Sequence, residues 1–121
     1  MERRRLGTTE IDLPVIGMGT WRTFDTDEDR TPIVDEALAA GTDLFDSSPM
    51  YGKAEATLAR ALAGRRQEVR VASKIWTEDD DEGQRQADYA VAVWDCRHLP
   101  GPQSRQPAEP AVLAGAVQSR W

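Results

Sequence analysis

The sequence is poor in residues that staple or anchor a small protein. One cysteine, Cys96, among 121 residues excludes an internal disulfide and fits a reducing, cytoplasmic setting. No apolar run approaches the ~20 residues that a membrane helix needs. The basic start, Met1-Glu2-Arg3-Arg4-Arg5-Leu6, has no apolar stretch behind it. It therefore makes neither a secretory nor a twin-arginine signal. Positive charge is in the minority: 15 Lys and Arg face 21 Asp and Glu, for a net charge of -6. That balance argues against nucleic acid or an acidic membrane surface as a partner. No repeat, heptad or metal-ligand cluster is visible. What remains, 40% hydrophobic and 30% charged residues, is ordinary for a folded chain, and the length suits one small domain.

Composition divides the chain near residue 94. Residues 1–93 alternate between strand and helix patterns. Arg3–Leu6 and Ile11–Val15 flank the polar turn Gly7-Thr8-Thr9-Glu10 and predict a β-hairpin. Val15-Ile16-Gly17-Met18-Gly19-Thr20-Trp21 predicts a buried strand, with glycines where something approaches the backbone. A first helix is expected from Thr31 as N-cap, with Pro32 in its first turn, Ile33, Val34, Ala37 and Leu38 on one face, and Gly41 as its stop. Residues 42–46 predict a second strand, followed by the loop Ser47–Gly52. A second helix buries Ala54, Leu58, Ala61 and Leu62 and stops at Gly64. Residues 68–76 alternate, are rich in Val and Ile, and predict a third strand. The acidic run 78–82 reads as a solvated loop, able to cap the helix that follows. That third helix should bury Ala87, Ala90, Val91 and Trp94. Strand–helix units in succession are the signature of a parallel α/β sheet; the pattern alone leaves open whether the sheet closes.

Parallel α/β proteins place their chemistry at the carboxyl ends of strands. Three polar residues fall there: Asp46 closes the second strand, Tyr51 lies in the loop after it, and Lys74 stands late in the third. Singly, each has a bland role, as a turn residue, a packed loop aromatic and a strand-edge lysine. Together they suggest a site. A buried ammonium is costly without a partner, and Asp46 is the natural one. A lysine so paired beside a phenol favours the phenolate, which makes Tyr51 a candidate general acid.

The segments Gly17-Met18-Gly19-Thr20-Trp21, Asp43-Leu44-Phe45-Asp46-Ser47-Ser48-Pro49-Met50-Tyr51-Gly52 with Glu55, and Val71-Ala72-Ser73-Lys74 resemble the aldo-keto reductases. The resemblance covers roughly residues 3–93. It implies a (β/α)8 TIM-type barrel preceded by a β-hairpin, of which this chain would hold the incomplete N-terminal part, about three βα units. It implies hydride transfer between NADPH and a small carbonyl or alcohol substrate, with Tyr51 as proton donor, Lys74 assisting it and Asp46 holding Lys74. Gly19, Thr20, Trp21 and Asp46 would lie at the nicotinamide end of the cofactor. Glu55 would support the loop, and no metal is required.

The family's fourth catalytic group is a histidine on the fourth strand. The only histidine here, His98, lies between Trp94 and Pro102 in a Pro- and Gly-interrupted context that is no buried strand. Residues 94–121 hold four of the seven prolines, Pro100, Pro102, Pro107 and Pro110, and form an atypical tail, out of frame or disordered. With suitable wobble bases, the codons of Trp94–Arg105 read one base later encode GTVDIYQVHNL, which resembles the expected strand with its histidine. A frameshift near residues 90–94 would explain the tail. Such a barrel takes about 250 residues, and three strands cannot close it. The sequence thus predicts marginal stability or self-association through an open sheet edge, weak or no NADPH binding and no activity alone. The alternative is a non-catalytic half-barrel that pairs with a partner or with itself.

Overall fold

The computed structural model describes residues 1–94; the readings placed on Cys96, His98 and the rest of the tail lie outside the described residues. The chain opens with an antiparallel hairpin, β1 (Arg3–Arg5) and β2 (Asp12–Pro14), in the register Arg3 to Pro14 and Arg5 to Asp12. A three-stranded parallel sheet follows, in the order β3 (Met18–Gly19), β4 (Leu44–Asp46) and β5 (Arg70–Ala72). Helix α1 (Thr31–Ala39) joins β3 to β4, and α2 (Ala54–Ala61) joins β4 to β5 through a short 3-10 turn at Arg66–Glu68. Helix α3 (Asp80–Val93) follows β5. Each strand of the parallel sheet is thus followed by a helix, as the alternation of patterns predicts.

The core lies between the sheet and its helices. Phe24, Val34, Phe45, Ala54, Leu58, Ala61, Leu62, Val69 and Trp94 form one buried cluster, with Ile33, Ala37 and Leu38 packed against it. The α1 and α2 faces are those expected. Gly41 ends α1 at φ 84, a left-handed conformation that a Cβ disfavours. No helix among the described residues is long and apolar enough to cross a membrane.

Five expectations need correction. The first strand is only Met18–Gly19, and Val15, Ile16 and Trp21 are exposed. Apolar composition here does not mean burial, because β3 is an edge of the described sheet. The third strand is Arg70–Ala72, since Glu68 belongs to the 3-10 turn and Ile75 and Trp76 are exposed. The acidic run is a loop only at Glu78, and its expected capping role holds. Asp79 caps α3 by accepting from the Glu82 amide at 2.7 Å, and Asp80, Asp81 and Glu82 form its first turn, where negative charge favours the helix dipole. Finally, α3 packs Ala90, Val93 and Trp94 on the core while Val91 faces solvent. Thr31 also begins α1 rather than capping it: Arg30 holds the cap position without a side-chain bond, and Asp29 accepts from the Thr31 amide at 2.9 Å.

Candidate active site

The site begins with strand alternation. Phe45 in β4 points into the core, so Asp46 points to the opposite face of the sheet. In the parallel register Asp46 lies beside Ala72, and Lys74 stands two residues beyond. Its ammonium returns to β4 and donates to Oδ1 and Oδ2 of Asp46, each at 2.9 Å, and to the Ser47 carbonyl at 2.9 Å. The Lys74 Nζ is also 5.0 Å from the centroid of the Tyr51 ring. The geometry therefore brings Asp46, Tyr51 and Lys74 together at the carboxyl ends of β4 and β5.

Burial works against the Lys74 ammonium, but its hydrogen bonds and charge contact with Asp46 outweigh that cost, with a smaller contribution from Tyr51. Its pKa is held above the ordinary lysine value of 10.5. Lys74 is therefore a fixed cation across the neutral range, standing beside a phenol.

Tyr51 is placed by its loop. Its amide donates to the Ser48 carbonyl at 3.0 Å, and its own carbonyl accepts from the Ala54 amide at 3.0 Å as α2 begins. Gly52 follows at φ 58, and a Cβ there would collide with the Asp25 carboxylate. That carboxylate accepts from the Lys53 amide at 2.9 Å. A glycine after the tyrosine thus satisfies both a left-handed backbone and a close approach.

Of the other predicted residues, Gly19 has open space where a Cβ would sit, and Trp21 is 61% exposed. The Trp21 and Tyr51 rings are 6.2 Å apart at 31°. Thr20 differs: it is buried, and its hydroxyl lies 2.9 Å from both the Asp46 carbonyl and Ser47 Oγ. It braces β3 against β4 from within the framework. A depression lined by Leu6, Ile11, Leu13, Leu44 and Val71 lies between hairpin and sheet and includes none of these residues.

Two further groups, Ser47 and Ser73, hold the strand ends in place. Ser47 is buried, and its amide donates to the Ala72 carbonyl at 2.8 Å, fixing the β4 end against β5. Ser73 donates to Glu55 Oε1 at 2.6 Å across 18 residues of chain. The signal for Ser47 was the Ser47-Ser48 pair directly after Asp46; Ser73, a lone serine between Ala72 and Lys74, gave none. Arg22, at φ 46 with its guanidinium 5.1 Å from the Trp21 ring centroid, is the described non-glycine residue with positive φ. No cluster of metal-ligating side chains occurs among the described residues.

Successive strand–helix units on a parallel sheet, a capping hairpin, and an Asp–Lys–Tyr cluster at the carboxyl ends define the beginning of a TIM-type α/β barrel. The aldo/keto reductase family profile matches residues 15–94, and the chain belongs to that family of oxidoreductases. The Bacillus subtilis (strain 168) oxidoreductase YqkF, itself uncharacterized, is 29% identical over 83 residues, covering 67% of this chain and 27% of its own length. An aldo-keto reductase structure from Pseudomonas aeruginosa superposes with a TM-score of 0.70 at 23% identity, over 77% of this chain and 41% of that one. Aldo-keto reductase AKR11C1 from Bacillus halodurans, in its holo form, does so with 0.64 at 21%, over 78% and 37%. These likenesses show the fold. The chain spans about a quarter of the curated relative and two fifths of the solved structures.

Proposed function

We propose that this chain carries the proton-donating part of an NADP(H)-dependent carbonyl reductase site, acting on an aldehyde or ketone. The observation that carries the reading is the Lys74 ammonium, held by both oxygens of Asp46 and standing 5.0 Å from the Tyr51 ring. NADPH would supply the hydride. Tyr51 would give its proton to the carbonyl oxygen as charge develops there. The Lys74 cation beside it would stabilise the phenolate left behind, and Asp46 would keep Lys74 in place. The open space at Gly19, the exposed Trp21 ring and the half-exposed Asp46 fit a flat ring lying against the β3 and β4 ends. Thr20 supports that floor from beneath.

The described residues supply three strands of an eight-stranded design, so turnover is expected once the remaining strands are joined to them. The test is aldehyde-dependent NADPH oxidation by this chain alone and by a chimera in which the region after Trp94 is taken from a full-length relative. The chimera should turn over, and Tyr51→Phe should lower its rate by about 10²–10⁴-fold, the usual worth of a positioned general acid. A folded chimera with the three residues intact and no aldehyde-dependent oxidation would overturn the reading. A second reading rests on the two edges of the described sheet, β3 and β5, and the exposed Ile16, Ile75 and Trp76 near them. Such edges support self-association. Concentration-dependent sedimentation to one defined stoichiometry would favour a paired, non-catalytic half-barrel.

A further inference from the structure

Glu55 is an expensive residue where it stands. It is 3% exposed at the start of α2. One carboxylate oxygen, Oε1, accepts from the Ser73 hydroxyl at 2.6 Å. The other, Oε2, is buried with no partner among the described residues. A buried carboxylate with a free oxygen costs stability, so a purely structural role is poorly served by it. Its location suggests what it does instead. Glu55 lies one residue after Ala54, whose amide is bonded to the Tyr51 carbonyl. Ser73 directly precedes Lys74. The Glu55–Ser73 bond therefore joins the segment that carries the tyrosine to the segment that carries the lysine.

We infer that Glu55 and Ser73 form a positioning clamp that sets where the Lys74 ammonium stands against Asp46 and Tyr51. The inference rests on the proposed site. Lys74 lies beyond the last residue of β5, so no ladder bond with β4 fixes its backbone among the described residues. Ser73 is the neighbour that can be tied, and α2, packed on the core through Ala54 and Leu58, is the rigid body to tie it to. The bond is a short neutral-to-carboxylate contact of the stronger kind. Removing either partner frees the Lys74 backbone without touching the three reacting side chains.

Composition makes a direct test possible, because Lys53 and Lys74 are the only lysines in the chain. With lysine labelled at Cε, the full chain gives two side-chain signals, and Lys53, the N-cap residue of α2, paired with Asp27, is an internal control. In the parent, Lys74 should titrate above the ordinary 10.5. Glu55→Ala and Ser73→Ala should both move its titration down toward 10.5, while the Lys53 signal keeps its parent chemical shift at neutral pH. Glu55→Gln, whose amide oxygen can still accept from Ser73, should restore the Lys74 value. If Ser73→Ala, with Lys53 unchanged, leaves Lys74 at the parent value, the clamp is refuted. If Glu55→Ala unfolds the chain, Ser73→Ala and Glu55→Gln decide the matter. The readout needs no turnover, so the clamp and the reductase reading can fail separately.

Discussion

Strand β4 is bounded at each end by an aspartate that meets cations from elsewhere in the chain, and the two ends are built differently. Before the strand, Asp43 accepts from Arg3 through both oxygens, each at 3.0 Å, and from Arg70 at 3.3 Å. The Arg70 amide also donates to the Asp43 carbonyl at 2.7 Å. This end ties hairpin β1 and strand β5 to the middle of the sheet. At the other end Asp46 meets one lysine, with an aromatic ring beside it and open space at Gly19. Arginine's planar fork suits a permanent brace, whereas a compact ammonium on a flexible stem suits a place where charge must face a reacting group. The difference follows the barrel rule that the amino-end face serves stability and the carboxyl-end face serves chemistry.

The two ends should separate most sharply when each is disarmed in turn. In the chimera assay, Lys74→Met should cost about 10²-fold or more in rate and little in stability, because a half-exposed ion pair contributes modestly. Asp43→Asn should do the reverse. It should lower the melting temperature by a few degrees, through loss of the hairpin's anchor, and leave the rate per folded molecule unchanged. A rate loss in Asp43→Asn equal to that in Lys74→Met would erase the distinction between the ends.

A smaller effect is expected from Gly52→Ala. The alanine must hold φ 58 and push the Asp25 carboxylate off the Lys53 amide. Backbone strain of this kind costs about 1–3 kcal/mol. It should appear as a lower urea midpoint with an unchanged slope, together with a rate loss, since Tyr51 moves with the turn. Unchanged midpoint and rate would show that the loop yields without cost.

Much of this arrangement was legible in the chain. Pro32 and Gly41 mark α1, the spacing of Ala54, Leu58, Ala61 and Leu62 marks the buried face of α2, and Asp46, Tyr51 and Lys74 fall at strand ends because strands and loops alternate regularly. What failed did so for physical reasons. Val15, Ile16 and Val91 are apolar but exposed, because composition does not say whether a neighbouring element covers a residue. The acidic run looked like a solvated loop, yet carboxylates at a helix N-terminus stabilise the helix they precede. The Glu55–Ser73 bond was invisible because it depends on how α2 and β5 pack, not on either segment alone.

The finest distinction between the two ends is their response to alkali. The folded-state pKa of Lys74 lies above the ordinary 10.5, raised by Asp46 against the cost of burial. A raised value means that the pair's contribution is complete below the unfolded value. It is then lost as the pH climbs through the folded one. Arg3 is raised as well, through its hydrogen bonds to Asp43, but a guanidinium keeps its proton throughout this range. Above about pH 10.5, therefore, the carboxyl end should loosen while the amino end holds. The part due to Lys74 is the difference between parent and Lys74→Met in unfolding free energy as the pH rises, and it should stay under about 1 kcal/mol, the ceiling for a solvent-reached ion pair. Asp43→Asn should shift the whole curve down without changing its alkaline slope. An alkaline slope identical in parent and Lys74→Met would mean that the Lys74–Asp46 pair contributes no stability, and that the carboxyl-end aspartate serves only to aim the lysine.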